Sequence, residues 1–318
     1  MLIKGTDVSI LWIHVDDGAI TASLRELMEE IAHEINKKLK VKWDEKISGL
    51  VGITIENIPQ GYKFLQTDLI DKLTGLNPRN IKSKSPLPVD CKLKSGPALN
   101  MDKLYLKRIG MLLYIAQASR PDIAFDVNYL ARFSMNTKKS HWEALEHLIA
   151  YVRGTRTLGI LMANNNSSPA IHCYVDASWG GEGDQSSHGY IILHGKSPIS
   201  WQSKKQSTVA SSTAQAEYMA LSFAARECNW ILNLFQPMLG SIIPTMLSDN
   251  KTAVGILTSL LNKKQTWHLI QQFNLINEYI ACKNVQLEWV STNNQLANIL
   301  TKAMGSVKTK QFCNVINW

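Results

Sequence analysis

Five carboxylates in this chain stand where they could hold a metal ion, and they fall into two groups. The first is the pair Asp16-Asp17 in His14-Val15-Asp16-Asp17, flanked by the apolar runs 8–13 and 18–20. That pattern reads as a strand, a tight acidic turn and a second strand. Paired carboxylates on a turn make a hard-oxygen site of the kind Mg²⁺ prefers, with substrate phosphates completing its shell. The second group is dispersed. Asp176 closes the strand-like run Cys173-Tyr174-Val175-Asp176, and Asp249 closes Met246-Leu247-Ser248-Asp249. Glu217 lies early in a long helical stretch, before Tyr218-Met219-Ala220-Leu221. Side chains at the ends of neighbouring strands converge in open α/β sheets, and a helix packed on such a sheet would aim Glu217 at the same point. Three converging carboxylates repel one another and call for a divalent cation. Such a cluster suits two-metal hydrolysis of a phosphodiester. Taken singly, each acid reads as a solvated surface group; the joint placement carries the chemistry.

The elements that must position these acids follow from periodicity. An amphipathic helix is predicted over Leu24–Leu39, with Ile31, Ile35 and Leu39 at helical spacing, followed by a strand pair through residues 50–55. Residues 76–100, with Pro78, Pro86, Pro88 and Pro97, read as a linker. Residues 101–160 read as helical, with Trp142, Leu145, Leu148, Ile149 and Val152 on one face. Asn164-Asn165-Asn166-Ser167-Ser168-Pro169 reads as the main domain boundary. Beyond it come three strands near 171–176, 189–194 and 199–202, a helix over Ser212–Leu239, and a strand at Thr245–Ser248. Further helices, a strand at Val285–Val290 and a last helix from about Asn294 complete an α/β (α+β) module. Ser212 with Gln215 fits a capping box, which puts Glu217 in the second turn of its helix.

With 318 residues, 45% of them hydrophobic and 19% charged, the chain can form about two packed domains. The net charge of +8 favours an anionic partner, nucleic acid first among them. The five cysteines form no Cys-x-x-Cys pair, which argues against a zinc site or a disulfide framework and for a reducing, cytoplasmic or nuclear setting. No apolar run approaches the roughly 20 residues of a membrane span.

Several motifs, in order, give the chain a family likeness. His14-Val15-Asp16-Asp17 is similar to the Tyr-Val-Asp-Asp box of reverse transcriptases. Gly110-Met111-Leu112-Leu113-Tyr114, Ser119-Arg120-Pro121-Asp122-Ile123, His141-Trp142-Glu143-Ala144 and Tyr151-Val152-Arg153-Gly154-Thr155 look like a connection region. Tyr174-Val175-Asp176-Ala177, the run 199–206, Ala216-Glu217-Tyr218-Met219, Ser248-Asp249-Asn250 and the run 295–302 look like a ribonuclease H domain. The chain thus resembles the end of the polyprotein of copia-type (pseudoviral) long-terminal-repeat retrotransposons. The resemblance implies a truncated reverse-transcriptase palm over 1–75, a linker and helical thumb or connection region over 76–165, a ribonuclease H-like domain over 170–305 with a five-stranded mixed sheet, and a C-terminal tail over 306–318.

What the resemblance implies for chemistry is cleavage of the RNA strand in RNA–DNA hybrids. Asp176, Glu217 and Asp249 would be metal ligands, and position 298 would be the fourth catalytic position. Mg²⁺ is the expected cofactor, with Mn²⁺ as a substitute, and the hybrid is the expected partner. The family's last acid is Asn298 here, which keeps an oxygen and loses the charge. Gln215 and Ser178 also replace family acids, and His14 replaces a tyrosine. Asp16-Asp17, so close to the first residue, are expected to be a polymerase remnant without a third carboxylate. A catalytically inactive remnant and a working reverse transcriptase are the rival readings. Trp201, Lys204 and Lys205 are candidate nucleic-acid contacts, with an edge strand guarded by lysines as the plainer alternative. The basic stretches 82–94 and 103–108 could follow phosphates, and His268 reads as structural.

Overall fold

The computed structural model describes residues 2–4, 7–75, 83–89, 91, 93, 102–164, 170–180, 185–240, 242–258 and 270–316. Most of the expected linker over 76–100, residues 165–169 and His268 lie outside the described residues.

Strands β1 (Leu2–Lys4), β2 (Asp7–His14) and β3 (Asp17–Ala22) form an antiparallel sheet in chain order. Helix α1 (Arg25–Lys38) buries Leu27 and half-covers Ile31 and Ile35, the predicted apolar stripe, while Leu39 stays exposed. A second antiparallel sheet joins β4 (Gly49–Leu50), β5 (Ile53–Ile58), β6 (Gly61–Leu65) and β7 (Ile160–Ala163). Between β6 and β7 the described residues form the α-helices α2 (Thr67–Gly75), α3 (Asp102–Ala118), α4 (Ala124–Ala131) and α5 (Lys139–Gly154). All five residues of the apolar face predicted for α5 are buried.

The third sheet has five strands in the order β10-β9-β8-β11-β12. These are β8 (Ile171–Ser178), β9 (Ser187–His194), β10 (Ser197–Lys205), β11 (Thr245–Ser248) and β12 (Gln286–Trp289). The first three pair antiparallel, and β11 and β12 add in parallel, so the sheet is mixed as expected. The parallel strands are reached through α6 (Thr213–Leu239), α7 (Lys251–Thr258) and α8 (Ile270–Ala281), because a parallel partner needs a crossover.

Strand alternation divides β9 between two cores. Tyr190 and Ile192 pack with Cys173, Val175, Tyr218 and Leu221 under α6. Ile191 and Leu193 pack with Leu112, Ile115, Leu145 and Leu148 of α3 and α5. The same interior takes Leu300, Phe312, Cys313 and Ile316 from the end of the chain. The helices before residue 160 and the sheet after residue 170 therefore share one apolar core.

Two expectations change at the C-terminal end. No single helix starts near Asn294; 3-10 turns cover Thr292–Asn294 and Leu296–Leu300, and α9 follows over Ser306–Val315. Gln295 breaks the run, because its Nε2 donates to the main-chain oxygens of Val175 and Leu247, at 2.9 and 3.2 Å. The segment expected as a tail is α9 itself, held down by Phe312, Cys313 and Ile316.

The Ser119-Arg120-Pro121-Asp122 motif forms a closed polar network. Arg120 grips Asp122 through two bonds, Nε to Oδ1 at 3.0 Å and Nη2 to Oδ2 at 2.9 Å. Nη1 donates to the main-chain oxygen of Thr155, Nη2 also donates to its hydroxyl, and the Tyr151 hydroxyl donates to Asp122 at 2.8 Å. Both charged side chains are 0% exposed. Arg108, expected in a phosphate-tracking stretch, is instead buried against Glu146 and lies over the Trp142 ring. Removing one partner of a buried pair leaves the other charge uncompensated. Asp122→Asn should therefore lower the unfolding free energy by about 3–5 kcal/mol. Asp71→Asn, which breaks the exposed Arg156–Asp71 pair, should change it by less than about 1 kcal/mol. Urea denaturation midpoints of the two variants test the contrast.

Candidate active site

Asp176 sits on β8 opposite Gly189 of β9, near the carboxyl end of the central strand. Asp249 follows β11, where the parallel pairing of β8 and β11 has ended. Glu217 points inward from the second turn of α6. Ser212 caps that helix, its Oγ accepting from the Gln215 N–H at 3.2 Å. The reciprocal half of the expected capping box is shifted by one residue: Gln215 Oε1 accepts from the N–H and hydroxyl of Ser211. One oxygen from each of Asp176, Glu217 and Asp249 lies within 4.8 Å of the others. Among the described residues this is the one such group of three or more carboxylate, imidazole or thiol side chains.

Burial makes this cluster costly without a cation. Burial first, then the Asp176 and Asp249 carboxylates, push Glu217 up to about 9. Asp176 is also raised, mainly by burial, against the opposing pull of Lys302 and the Thr301 hydroxyl. Thr301 Oγ1 donates to Asp176 Oδ2, and Lys302 Nζ stands 3.8 Å from the same oxygen. Glu217 Oε2 is buried and has no hydrogen-bond partner. Buried acceptors without donors are what a cation would satisfy.

Asn298 lies on the 3-10 turn beside β8 and β9, and its amide direction is informative. Nδ2 donates to the main-chain oxygens of Thr292 and Gln295, at 3.2 and 3.1 Å. Oδ1 is buried and unpartnered. A carboxylate there would set oxygen against those two carbonyls, so the asparagine is built into the turn. The turn itself reaches the site because β9 has a glycine. A Cβ on Gly189 would come 2.4 Å from Leu300 Cβ, so any side chain there would lift Thr301 and Lys302 away from Asp176. Gly189, Gln295, Thr301 and Lys302 had no role in the sequence reading. Gln295, Thr301 and Lys302 lay within the run 295–302 that carried the ribonuclease H resemblance, and nothing local marked Gly189.

The other candidate residues lie elsewhere. Asp16 and Asp17 are exposed at the β2–β3 turn, with Val15 at a φ of 53°, strained for a β-branched residue. Asp17 Oδ2 accepts from the Val51 N–H at 3.0 Å and so ties the two small sheets together. Trp201 is half-buried: its Nε1 donates to the Ala116 main-chain oxygen at 2.8 Å and its ring packs against the shared core. Lys204 is exposed and Lys205 partly so, on the outer strand β10.

A five-stranded mixed sheet of this order, with three acids at the ends of its central strands and on the crossing helix, defines a ribonuclease H-like domain. No family model matches the chain. The Pol polyprotein from transposon RE2 of Arabidopsis thaliana is 29% identical over 325 residues, covering 99% of this chain and 22% of that protein. The one from transposon TNT 1-94 of Nicotiana tabacum is 30% identical over 310 residues, covering 93% of this chain and 23% of that protein. The foamy viral protease-reverse transcriptase in complex with RNA/DNA hybrid has a similar fold, with a TM-score of 0.50 at 14% identity over 91% of this chain and 36% of that one. Over nearly its whole length the chain is thus similar to the Pol polyproteins of plant copia-type retrotransposons. It spans little more than a fifth of the length of those relatives, 22% and 23%.

A carboxyl raised in the folded state contributes stability that is complete below its unfolded value and is lost as pH rises toward the folded one. Without metal, the protein should lose thermal stability between the ordinary 4.5 and about 9 as Glu217 is forced to ionise. Glu217→Gln should flatten that slope and raise the alkaline melting temperature, by about 2–4 °C for each kcal/mol relieved. Calorimetry across that range, in chelator, measures it.

Proposed function

We propose that the chain hydrolyses the RNA strand of RNA–DNA hybrids with Mg²⁺ held by Asp176, Glu217 and Asp249. The convergence of three carboxylate oxygens, two of the side chains buried, carries this reading. The donor set is hard oxygen throughout, and the buried, unpartnered Glu217 Oε2 fits a divalent ion. When bound, such an ion supplies charge for the phosphoryl oxygens and a more acidic water. The chain does the rest. Thr301 holds Asp176 by its hydroxyl, and Gln295 bridges the main chains of β8 and β11. Trp289 Nε1 anchors the Asp249 main chain at 3.2 Å, and Asn250 caps α7. The net charge of +8 suits an anionic partner, and the hybrid would be read by backbone shape and 2′-hydroxyls rather than base sequence.

An end-labelled hybrid incubated with Mg²⁺ or Mn²⁺ should be cut in its RNA strand, and Asp176→Asn should reduce cleavage to background. Intact hybrid in both ions, with the protein shown to be folded, would reject the reading. A nucleic-acid-binding protein without cleavage is the second reading. It is favoured by one observation, the commitment of the Asn298 amide to the main chain, and it would show as hybrid retention without product.

A further inference from the structure

We propose that this site takes a single divalent cation and that the Lys302 ammonium supplies the second positive charge. The inference rests on the metal-dependent reading above and specifies its stoichiometry.

Charge balance is the first ground. Three carboxylates and one ammonium leave two negative charges, which one divalent cation neutralises. The ammonium belongs to the site by geometry: Lys302 Nζ is 3.8 Å from Asp176 Oδ2, and its side chain is 48% exposed, so it stands at the rim between the acids and solvent. Its backbone is pinned on the residue before it. Leu300 is seated on Gly189 and Thr301 is bonded to Asp176, so the chain delivers Lys302 to this place.

Asn298 is the second ground. In a two-ion site the ions stand about 3.5–4 Å apart, and each needs anionic oxygens. Here the fourth position is neutral. Its nitrogen is spent on two carbonyls, and its Oδ1 is buried without a hydrogen-bond partner. An amide oxygen can complete the shell of one ion that the three carboxylates already hold. A second ion would therefore have to draw on the same three carboxylates, and the Lys302 ammonium beside Asp176 is what keeps it out.

The test uses Mn²⁺ on the full chain, read by titration calorimetry and electron paramagnetic resonance. Wild type should bind one Mn²⁺ with the spectrum of an isolated ion, even at saturation. Lys302→Met should admit a second ion, and the spectrum should become that of an exchange-coupled pair. Lys302→Arg, which keeps the charge, should behave as wild type. Two ions in the wild type, or one ion still in Lys302→Met, would overturn the inference and leave the metal-dependent reading intact. No Mn²⁺ bound by wild type would overturn that reading itself.

Discussion

Strand β9 is buried on both faces, and the placement of the candidate site follows from that constraint. One face must be covered by α6, which carries Glu217; the other must be covered by α3, α5 and the turn over 296–300, which leads to Thr301 and Lys302. A strand without a solvent face cannot accept an ordinary side chain where the turn crosses it. Gly189 meets that requirement directly opposite Asp176. Packing at one backbone position thus decides which polar groups reach the carboxylates.

The carboxylates are held together against their own repulsion. Burial withholds water from Asp176 and Glu217, so each ionised form is disfavoured, and the cluster is at rest only when protons or cations compensate it. The surroundings provide part of that compensation through the Thr301 hydroxyl and the Lys302 ammonium. The supports of the site are rigid for a related reason: Gln295 satisfies the strand-end carbonyls of Val175 and Leu247 that the diverging ladder leaves open.

The helices before residue 160 contribute through a different kind of polar contact. Arg120 and Asp122 are fully desolvated, and such a pair is tolerable only when every donor and acceptor is matched. Thr155 and Tyr151 provide the matches from α5 and its end. The short turn carrying Asp122 also packs near the C-terminal helix, whose Cys313 thiol is pushed up to about 12, mainly by burial. The network therefore locks α5 to the turn before α4 at the place where the shared core begins.

Much of this was legible in the residues. The order of strands and helices after residue 170, the apolar face of α5 and the three acids all follow from local pattern, because periodicity, caps and strand ends are properties of neighbouring residues. The acidic turn at Asp16-Asp17 was visible on the same grounds. What the chain order could not reveal depends on contacts between residues far apart in it. The indole of Trp201 is claimed by Ala116, and Arg108 by Glu146. The 306–316 segment packs as a helix because the turns over 121–123 and 296–300 give its apolar side chains a seat on the shared core. The amide of Asn298 turns toward Thr292 and Gln295, and Lys302 reaches Asp176 from 126 positions away, because Gly189 lets Leu300 close on the sheet. Local sequence determined which chemical groups were present and on which elements. Only long-range packing decided which of them meet, since burial and close approach are set by the whole fold.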